Sequence, residues 1–312
     1  MEKKNNSISF WSTKKGSGLS KMLLILPFMI LLAVLCYYPL FGWCYAFFDY
    51  KPPRTLSDCE FVGFKWFLSL VESSSRRKQV FQVMKNTFAM SGLNIITSWL
   101  PMVFAIFLNE ISYKPLRKTI QTVTTIPNFI GWVLVYSLAY TLFSSSGAVN
   151  TVLMNLGLTE SPILFLQSSQ HTYITQWAFL MWKTLGWSGI MYIAAITGID
   201  AELYEAASID GASRMKKIWY ITIPCLLPTY FVLLMLDISN FLNNGMEQYY
   251  VFQNAFNSET IQVLDLYVYN LGMKGGGYSL ATAVSILKSV VSITLLLIVN
   301  KLSKVTRGES II

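Results

Sequence analysis

Residues 205–228, "EAASIDGASRMKKIWYITIPCLLP", form a polar stretch with long apolar sequence close on both sides. Asp200, which precedes it, is typical of a helix N-cap, and the alanines that follow favour helix. Gly211 favours a helix end or a turn. The sequence therefore predicts a short helix, a corner at Gly211, and a second short helix over 213–220 that leads to Pro224.

The composition indicates an integral membrane protein. Of the 312 residues, 54% are apolar and only 13% are charged, about half the charged share of a soluble domain. The formal net charge is +8, which the collection of Lys and Arg on the cytoplasmic side of spans explains. No basic face of a soluble fold is evident, so we expect membrane lipid around the chain and no nucleic acid partner.

Six segments are long and apolar enough to cross a bilayer. They run over 22–48, 87–108, 119–143, 173–198, 218–243 and 280–300. Backbone polar groups in lipid must be satisfied internally, so each segment is predicted to be a helix. The predicted fold class is an all-α integral membrane protein with six transmembrane helices. One domain would cover 22–305, between a basic tail of 1–21 and a short tail of 306–312.

The distribution of basic residues predicts that both termini are cytoplasmic. The short inner segments each carry three positive charges: Lys114, Arg117 and Lys118; Arg214, Lys216 and Lys217; Lys301, Lys304 and Arg307. The outer loop 144–172 carries none, and the outer loop 244–279 carries only Lys274. This is a positive-inside pattern that places 199–217 in the cytoplasm. The first outer loop departs from it, with Lys51, Arg54, Lys65, Arg76, Arg77 and Lys78.

Polar residues inside the predicted spans are candidates for a substrate pathway, because charged groups in a membrane usually face a cavity or a partner. Asp237, Asn240 and Asn244 are spaced i, i+3, i+7 and would share one helix face, with Asn243 adjacent. Carboxylate and amide groups suit a sugar pocket. The alternative is that they form hydrogen bonds between helices.

Lys183 is a further charged candidate within a span, and an ion pair with Asp237 is one hypothesis for it. Aromatic rings that could lie beneath apolar sugar faces are Trp132, Tyr136, Trp182 and Trp187. Trp and Tyr also collect at membrane interfaces without touching any substrate.

The sequence lacks the signatures of an enzyme or a metal protein. Four cysteines without a CxxC pair and the lone His171 predict no metal site, and we expect no cofactor. There is no GxxxxGK[ST] phosphate loop, no HExxH and no nucleophile elbow. A transporter is therefore expected, and an ion-driven secondary transporter would usually show internal repeats or broken midplane helices.

The spacing within the opening stretch resembles the EAA motif of permease subunits in type I binding-protein-dependent ABC importers. Its elements are Glu205-Ala206-Ala207, three residues, Gly211, nine residues, Ile221, one residue, and Ile223-Pro224. The family pattern has Leu where this chain has Ile223. The resemblance implies that the loop 200–224 is a cytoplasmic coupling helix that docks on a separate ATPase. Glu205 would make a polar contact there, and Ala206, Ala207 and Gly211 would pack closely in the groove.

Three other stretches resemble carbohydrate permeases. They are residues 61–72, 181–212 and 263–304, the last being closest to the subgroup for oligosaccharides and polysaccharide fragments. The resemblance implies a carbohydrate substrate, an extracytoplasmic solute-binding protein, a second EAA-loop permease, a cytoplasmic ATPase dimer, and a location in the cytoplasmic (inner) membrane. The alternatives are an EAA-loop permease for a peptide or amino acid, and an ion-driven secondary transporter.

Overall fold

The computed structural model describes residues 16–307, with side chains over 21–304, and this part of the chain is helical. Its α-helices are α1 (Gly16–Leu32), α2 (Lys65–Glu72), α3 (Ser74–Ile96), α4 (Leu100–Asn109), α5 (Lys114–Thr125), α6 (Trp132–Phe143), α7 (Ala148–Asn155), α8 (Thr172–Thr197), α9 (Ala201–Ile209), α10 (Arg214–Lys217), α11 (Ile223–Ser239), α12 (Glu247–Phe252), α13 (Ser258–Ile261), α14 (Leu264–Tyr269) and α15 (Tyr278–Arg307). Short 3-10 or π segments are Ala33–Tyr37, Tyr38–Phe47, Leu56–Asp58, Ile126–Phe129, Ile218–Thr222 and Asn270–Lys274. Most of the predicted tails 1–21 and 306–312 lies outside the described residues.

Within residues 16–307, six helical regions are long and apolar enough to cross a membrane, which confirms the predicted fold class. We number them spans 1 to 6: Lys21–Phe47, Ser74–Asn109, Trp132–Asn155, Thr172–Thr197, Arg214–Ser239 and Tyr278–Lys304. The single β pairing in the described part of the chain is an antiparallel bridge between Phe48 and Phe61.

Span 1 lies at the periphery, with its apolar side chains exposed in the single chain. Only its last part, the 3-10 segment Tyr38–Phe47, packs against α15. The end of this segment is fixed by Ser279, whose hydroxyl donates to the Phe48 carbonyl over 2.7 Å and accepts from the Tyr50 N–H over 3.1 Å. The exposed apolar face of span 1 suits contact with lipid.

Helix α8 is the centre of the bundle and packs against α3, α4, α5 and α11. Two apolar clusters lie along it. The first is built around Met90, Val135, Tyr249, Phe252 and Leu266, and it receives Tyr173 and Phe179 from the first half of α8. The second contains Tyr192 and Ile196 of the second half, with Met102, Ala105, Ile106, Ile218 and Leu226. The middle of α8 therefore lies between two packed regions.

The structure corrects the predicted third span, because 119–143 is not one helix. The chain leaves α5 at Thr125, forms the 3-10 segment Ile126–Phe129, becomes extended at Ile130, and starts α6 at Trp132. Pro127 has no N–H to continue the helical bonding. Carbonyl groups at this break accept hydrogen bonds from the Lys183 side chain of α8.

The predicted second span also differs, since α3 begins at Ser74 rather than near residue 87. Ser73 caps its N-terminus by accepting from the Arg76 N–H. Helical structure is interrupted between Ile96 and Leu100, just before Pro101. The basic residues 76–78 lie in the first turns of this helix.

Glycine at position 186 allows α5 to approach α8 at backbone distance. A Cβ atom there would lie 2.3 Å from the carbonyl oxygen of Thr124. Contacts this short do not occur between real Cβ and backbone atoms, so a larger residue would push the two helices apart. A Cβ atom added to Gly92 on α3 would have no neighbouring atom within 4 Å.

We expect Gly186→Ala to destabilise the chain by about 2 kcal/mol, because the added methyl meets backbone rather than a movable side chain. The matched variant Gly92→Ala adds the same methyl to open space in a helix, where it should be neutral or slightly stabilising. Thermal unfolding in detergent, followed by fluorescence-detected size-exclusion chromatography, compares the two. Equal midpoints for both variants would contradict the close approach of α5 and α8.

Candidate functional site

An open cavity of about 470 Å³ lies against the middle of α8, between the two apolar clusters. Its walls come from α3, the start of α4, α8, α11 and the turn after α11. The polar side chains that line it are Ser91, Asn94, Thr97, Ser98, Thr184, Ser188, Tyr192, Asp237, Asn240, Asn243 and Asn244. The volume falls within the range of small-molecule sites, and the lining is rich in groups that both donate and accept hydrogen bonds.

Helix α8 contributes a mixed face to this cavity. Thr184 and Ser188 are four residues apart, so they lie on one side of the helix, and Trp187 lies beside them. The Trp187 ring is 49% exposed and meets Phe129 edge-on at 5.5 Å between centroids. An aromatic ring next to hydroxyl groups is the combination that binds a sugar, which has apolar faces and polar edges.

Asp237, Asn240 and Asn244, predicted to share one helix face, line the cavity together with Asn243, but the prediction of one continuous helix face is wrong. Helix α11 ends at Ser239, and Asn240 is its C-cap residue. The Asn240 side-chain amide donates to the Leu236 carbonyl over 3.0 Å and the Asn243 N–H donates to the Asn240 carbonyl over 2.8 Å. Because asparagine side chains compete for backbone hydrogen bonds, they favour a turn over another helical turn.

Gly245 completes this turn with a φ of +73°, a left-handed conformation that favours glycine. Its N–H donates to the Asp265 carboxylate over 2.9 Å, and Asp265 also forms an ion pair with Lys288 of α15. Asn244 is tied to α3, because its amide donates to the Ser91 hydroxyl over 2.9 Å. Asn244 therefore helps to shape the cavity as well as line it.

Lys183 lies outside the cavity lining, and the hypothesis that it pairs with Asp237 is wrong. Its ammonium donates to three carbonyl oxygens at the break between α5 and α6: Pro127 at 3.1 Å, Asn128 at 2.7 Å and Ile130 at 2.6 Å. The same nitrogen is 5.4 Å from the Trp132 ring centroid. Carbonyl groups at a helix C-terminus attract cations, which explains why a lysine in a span needs no carboxylate here.

Three of the predicted aromatic candidates also lie away from the cavity. Trp132 and Tyr136 pack against the first apolar cluster, and both rings meet Phe252 edge-on, at 6.5 Å and 5.1 Å between centroids. Trp182 lines a separate, apolar cavity of about 500 Å³ between α6 and α8. Trp182 and Trp187 are five residues apart, which places them about 140° apart around the helix, so they face different neighbours.

Sequence reasoning missed the polar residues of α3 and α8. Ser91 and Asn94 are spaced i, i+3, and Thr184 and Ser188 are spaced i, i+4, inside predicted spans. This is the same helical spacing of polar residues that pointed to Asp237 and its neighbours. The spacing could have identified them, although hydroxyl groups in spans often bond only to their own helix, as Thr184 does to the Leu180 carbonyl at 2.8 Å.

The loop of the opening motif has the local structure that the sequence predicted. Asp200 caps α9 by accepting from the Glu202 N–H over 3.0 Å. The chain turns at Gly211, whose φ is +71°. Ser213 then caps α10, which continues through the π segment Ile218–Thr222 into α11. The predicted second helix over 213–220 corresponds to α10 and the start of the π segment, and it continues without a break into span 5.

Helix α9 is exposed and firmly attached to span 5. Glu205, Ala206 and Gly211 are exposed, Ala207 is half-buried, and Ile209 is 88% exposed. The Tyr204 and Thr222 hydroxyl groups are hydrogen-bonded at 2.9 Å, and the Lys217 ammonium donates to the Ser208 hydroxyl at 2.5 Å. The remaining motif residues lie at the start of span 5, Ile221 half-buried and Pro224 exposed.

We expect Lys183 and Asp237 to contribute to stability independently. Lys183→Met removes the ammonium donor from the Asn128 and Ile130 carbonyls, while the Pro127 carbonyl keeps its bond from the Ile130 N–H. This change should cost about 2–3 kcal/mol, whereas the isosteric Asp237→Asn should cost less than about 0.5 kcal/mol. A double-mutant cycle on the free energy of unfolding in mixed micelles should give a coupling below about 0.5 kcal/mol.

Lys288→Met and Asp265→Asn provide the control cycle, because those side chains form a direct ion pair and should couple by more than this value. Rescue of Lys183→Met by a change at Asp237 would show that the two charges do interact.

Comparison with known proteins agrees with this architecture. The model of the family "Binding-protein-dependent transport system inner membrane component" matches residues 98–305. The chain is 36% identical over 294 residues to the polygalacturonan/rhamnogalacturonan transport system permease protein YteP of Bacillus subtilis, covering 93% of this chain and 89% of that protein. It is 34% identical to protein LplB of the same organism, covering 90% and 87%.

The solved structures include a bacterial ABC transporter that imports the acidic polysaccharide alginate. One of its chains superposes with a TM-score of 0.82 at 34% identity, covering 94% of this chain and 97% of that one. The same transporter in complex with an alginate pentasaccharide-bound periplasmic protein gives a TM-score of 0.82 at 33% identity, covering 96% and 98%. The chain described here belongs to the family of inner membrane components of binding-protein-dependent transport systems, and its fold is that of an ABC importer permease.

Proposed function

We propose that this chain is the translocation subunit of an ATP-driven importer that carries an oligosaccharide delivered by an extracytoplasmic binding protein. The observation that carries the proposal is the exposed helix α9, which bears the EAA motif and is attached to the span that lines the polar cavity. Similarity to YteP, a polygalacturonan/rhamnogalacturonan transport system permease, and to the alginate importer supports a carbohydrate substrate.

Helix α9 would transmit the ATPase movement to the cavity. Small side chains at Ala206 and Ala207 allow a partner surface to approach closely, and Glu205 is free to make a polar contact with it. The hydrogen bond between Tyr204 and Thr222 couples α9 to span 5. Span 5 carries Asp237 in the cavity wall. A displacement of α9 would therefore move this part of the substrate pathway through a single helix.

The cycle that follows is alternating access. A loaded binding protein docks on the outer side, ATP closes the paired ATPase subunits, and the cavity opens outward to receive the sugar. Hydrolysis returns the cavity to the inward-facing state. The chain itself contains no phosphate loop, so it acts with a separate ATPase dimer and with a second EAA-loop permease that completes the pathway.

The charge distribution supports a cytoplasmic location for both termini and for α9. Lys114, Arg117 and Lys118 lie at the same side of the membrane as the basic helix α10 in this arrangement. The positive-inside rule then assigns that side to the cytoplasm.

The carbohydrate pathway is proposed at the cavity that contains Asp237, Asn240, Asn243, Asn244 and Trp187. The amide groups there can donate hydrogen bonds to sugar hydroxyls and accept from them, and the carboxylate can accept. The Trp187 ring offers an apolar surface. Lys183, Trp132, Tyr136 and Trp182 are assigned to the packing that holds this cavity open.

Gentle affinity purification from the native membrane, followed by mass spectrometry, tests the assembly. We expect an ATPase and a second EAA-loop permease to co-purify. Ala206→Trp places a large ring on the exposed face of α9 and should reduce ATPase recovery at least about tenfold, which corresponds to ~1.4 kcal/mol. Ala148→Trp, the same change at an exposed position of α7, should leave recovery unchanged. Equal ATPase recovery for both variants would contradict the coupling role of α9.

Transport in proteoliposomes that contain the purified complex and its binding protein tests the solute class. We expect uptake of an oligosaccharide that requires ATP inside the vesicles and persists when ion gradients are collapsed. Uptake of a peptide or amino acid instead would replace the carbohydrate assignment. Uptake driven by an ion gradient without ATP would overturn the importer mechanism.

A further inference from the structure

The wall that this chain contributes to the proposed sugar pathway carries one charge, and that charge is negative. Its polar lining consists of hydroxyl groups, asparagine amides and the Asp237 carboxylate. Among the described residues that line it there is no Lys, Arg or His. This matters because two of the similar proteins are named for acidic glycans, polygalacturonan and alginate.

The lysines of α8 and of the first half of α15 are bonded to other groups. The Lys183 ammonium is bonded to the carbonyls of Pro127, Asn128 and Ile130, on the side of α8 that faces the break after α5. Lys288 forms an ion pair with Asp265. Neither lysine is part of the cavity wall, so neither is in position to neutralise a carboxylate of the cargo.

Asp237 itself is available to a ligand. Its side chain is exposed to the cavity, and no ion pair in the described part of the chain involves it. Asn240 and Asn243 follow it along the same wall and are hydrogen-bonded to each other, the Asn243 amide donating to the Asn240 side-chain carbonyl over 3.2 Å. A carboxylate with free lone pairs accepts hydrogen bonds from neutral sugar hydroxyls but repels a uronate.

We infer that the permease passes uncharged oligosaccharides and discriminates against uronate-containing ones, with Asp237 as the specificity-determining residue. The inference rests on the proposed function, since it describes the substrate class of the same cavity. Its physical basis is like-charge repulsion between a uronate of the cargo and the Asp237 carboxylate, because the wall formed by this chain offers no cation to neutralise either group.

A charged sugar and its neutral methyl ester test the inference. Trigalacturonate and its fully methyl-esterified form have the same backbone, length and linkage. Both are presented, together with galactotriose, arabinotriose and maltotriose, to proteoliposomes containing the complete transporter and its binding protein. Comparison of permease variants with the same binding protein assigns any change in preference to the permease.

We expect the wild-type transporter to take up the neutral ester at least about tenfold faster than trigalacturonate, because the acid meets the Asp237 carboxylate. The isosteric Asp237→Asn should reduce that ratio to about threefold or less by admitting the acid. Asn240→Asp adds a second carboxylate to the same wall and should increase the ratio. Asp58→Asn, the same chemical change in an exposed segment outside the cavity, should leave it unchanged.

Equal or faster uptake of trigalacturonate by the wild-type transporter would overturn the inference while leaving the proposed oligosaccharide transport intact. If the ratio of ester uptake to acid uptake is unchanged in both Asp237→Asn and Asn240→Asp, then Asp237 and its wall do not determine specificity. If Asp237→Asn abolishes all uptake, the test rests on Asn240→Asp: an increased ratio supports the inference and an unchanged ratio contradicts it. Absence of uptake for every carbohydrate would instead refute the proposed function, and this inference with it.

Discussion

The carbonyl groups freed between α5 and α6 need hydrogen-bond donors, and the Lys183 ammonium supplies three bonds to them. Lys183 belongs to span 4, so the break it bonds lies beside the apolar interior of the bundle. In hydrocarbon an unsatisfied carbonyl costs several kcal/mol, and irregular backbone persists only where protein groups satisfy it. The close approach of α5 at Gly186 and the packing of α6 onto the first apolar cluster both depend on this arrangement.

With α8 held between the two apolar clusters, its middle turns are left to face a polar cavity. The opposite wall is the end of α11 and the asparagine turn that follows, which is tied to α3 through Asn244 and Ser91. The same helix α11 continues back through the π segment to α10 and α9. A single helical path therefore connects the exposed motif with the cavity wall, which is why we assign transport coupling to span 5.

The charge of this cavity wall is the basis for inferring a glycan preference that differs from the substrates in the names of the relatives. Identity of about one third with YteP and with a chain of the alginate importer establishes the family, but charge preference depends on a few side chains in one wall. Here those side chains are hydroxyls, amides and one carboxylate. Fold and assembly can be shared within a family while the charge of the accepted glycan differs, because specificity is a difference in free energy at particular contacts.

The sequence alone determined the membrane class, the helical fold and the helix-corner-helix form of the motif loop. These follow from local properties: apolar runs of bilayer length, an N-cap at Asp200 and a glycine at position 211 with positive φ. The sequence also placed Asp237, Asn240, Asn243, Asn244 and Trp187 among the cavity candidates. Their role in binding a substrate stays a prediction.

Tertiary structure alone decided which polar groups meet. The partner of Lys183 is a set of backbone carbonyls 53–56 residues earlier in the chain, and hydropathy gives no sign of them. Tertiary contacts also decided where the asparagine turn after Ser239 lies, because Asn244 bonds to Ser91 and the Gly245 N–H bonds to Asp265. Local pattern fixes which residues can be helical and buried in lipid, whereas the pairing of polar groups depends on which helices become neighbours.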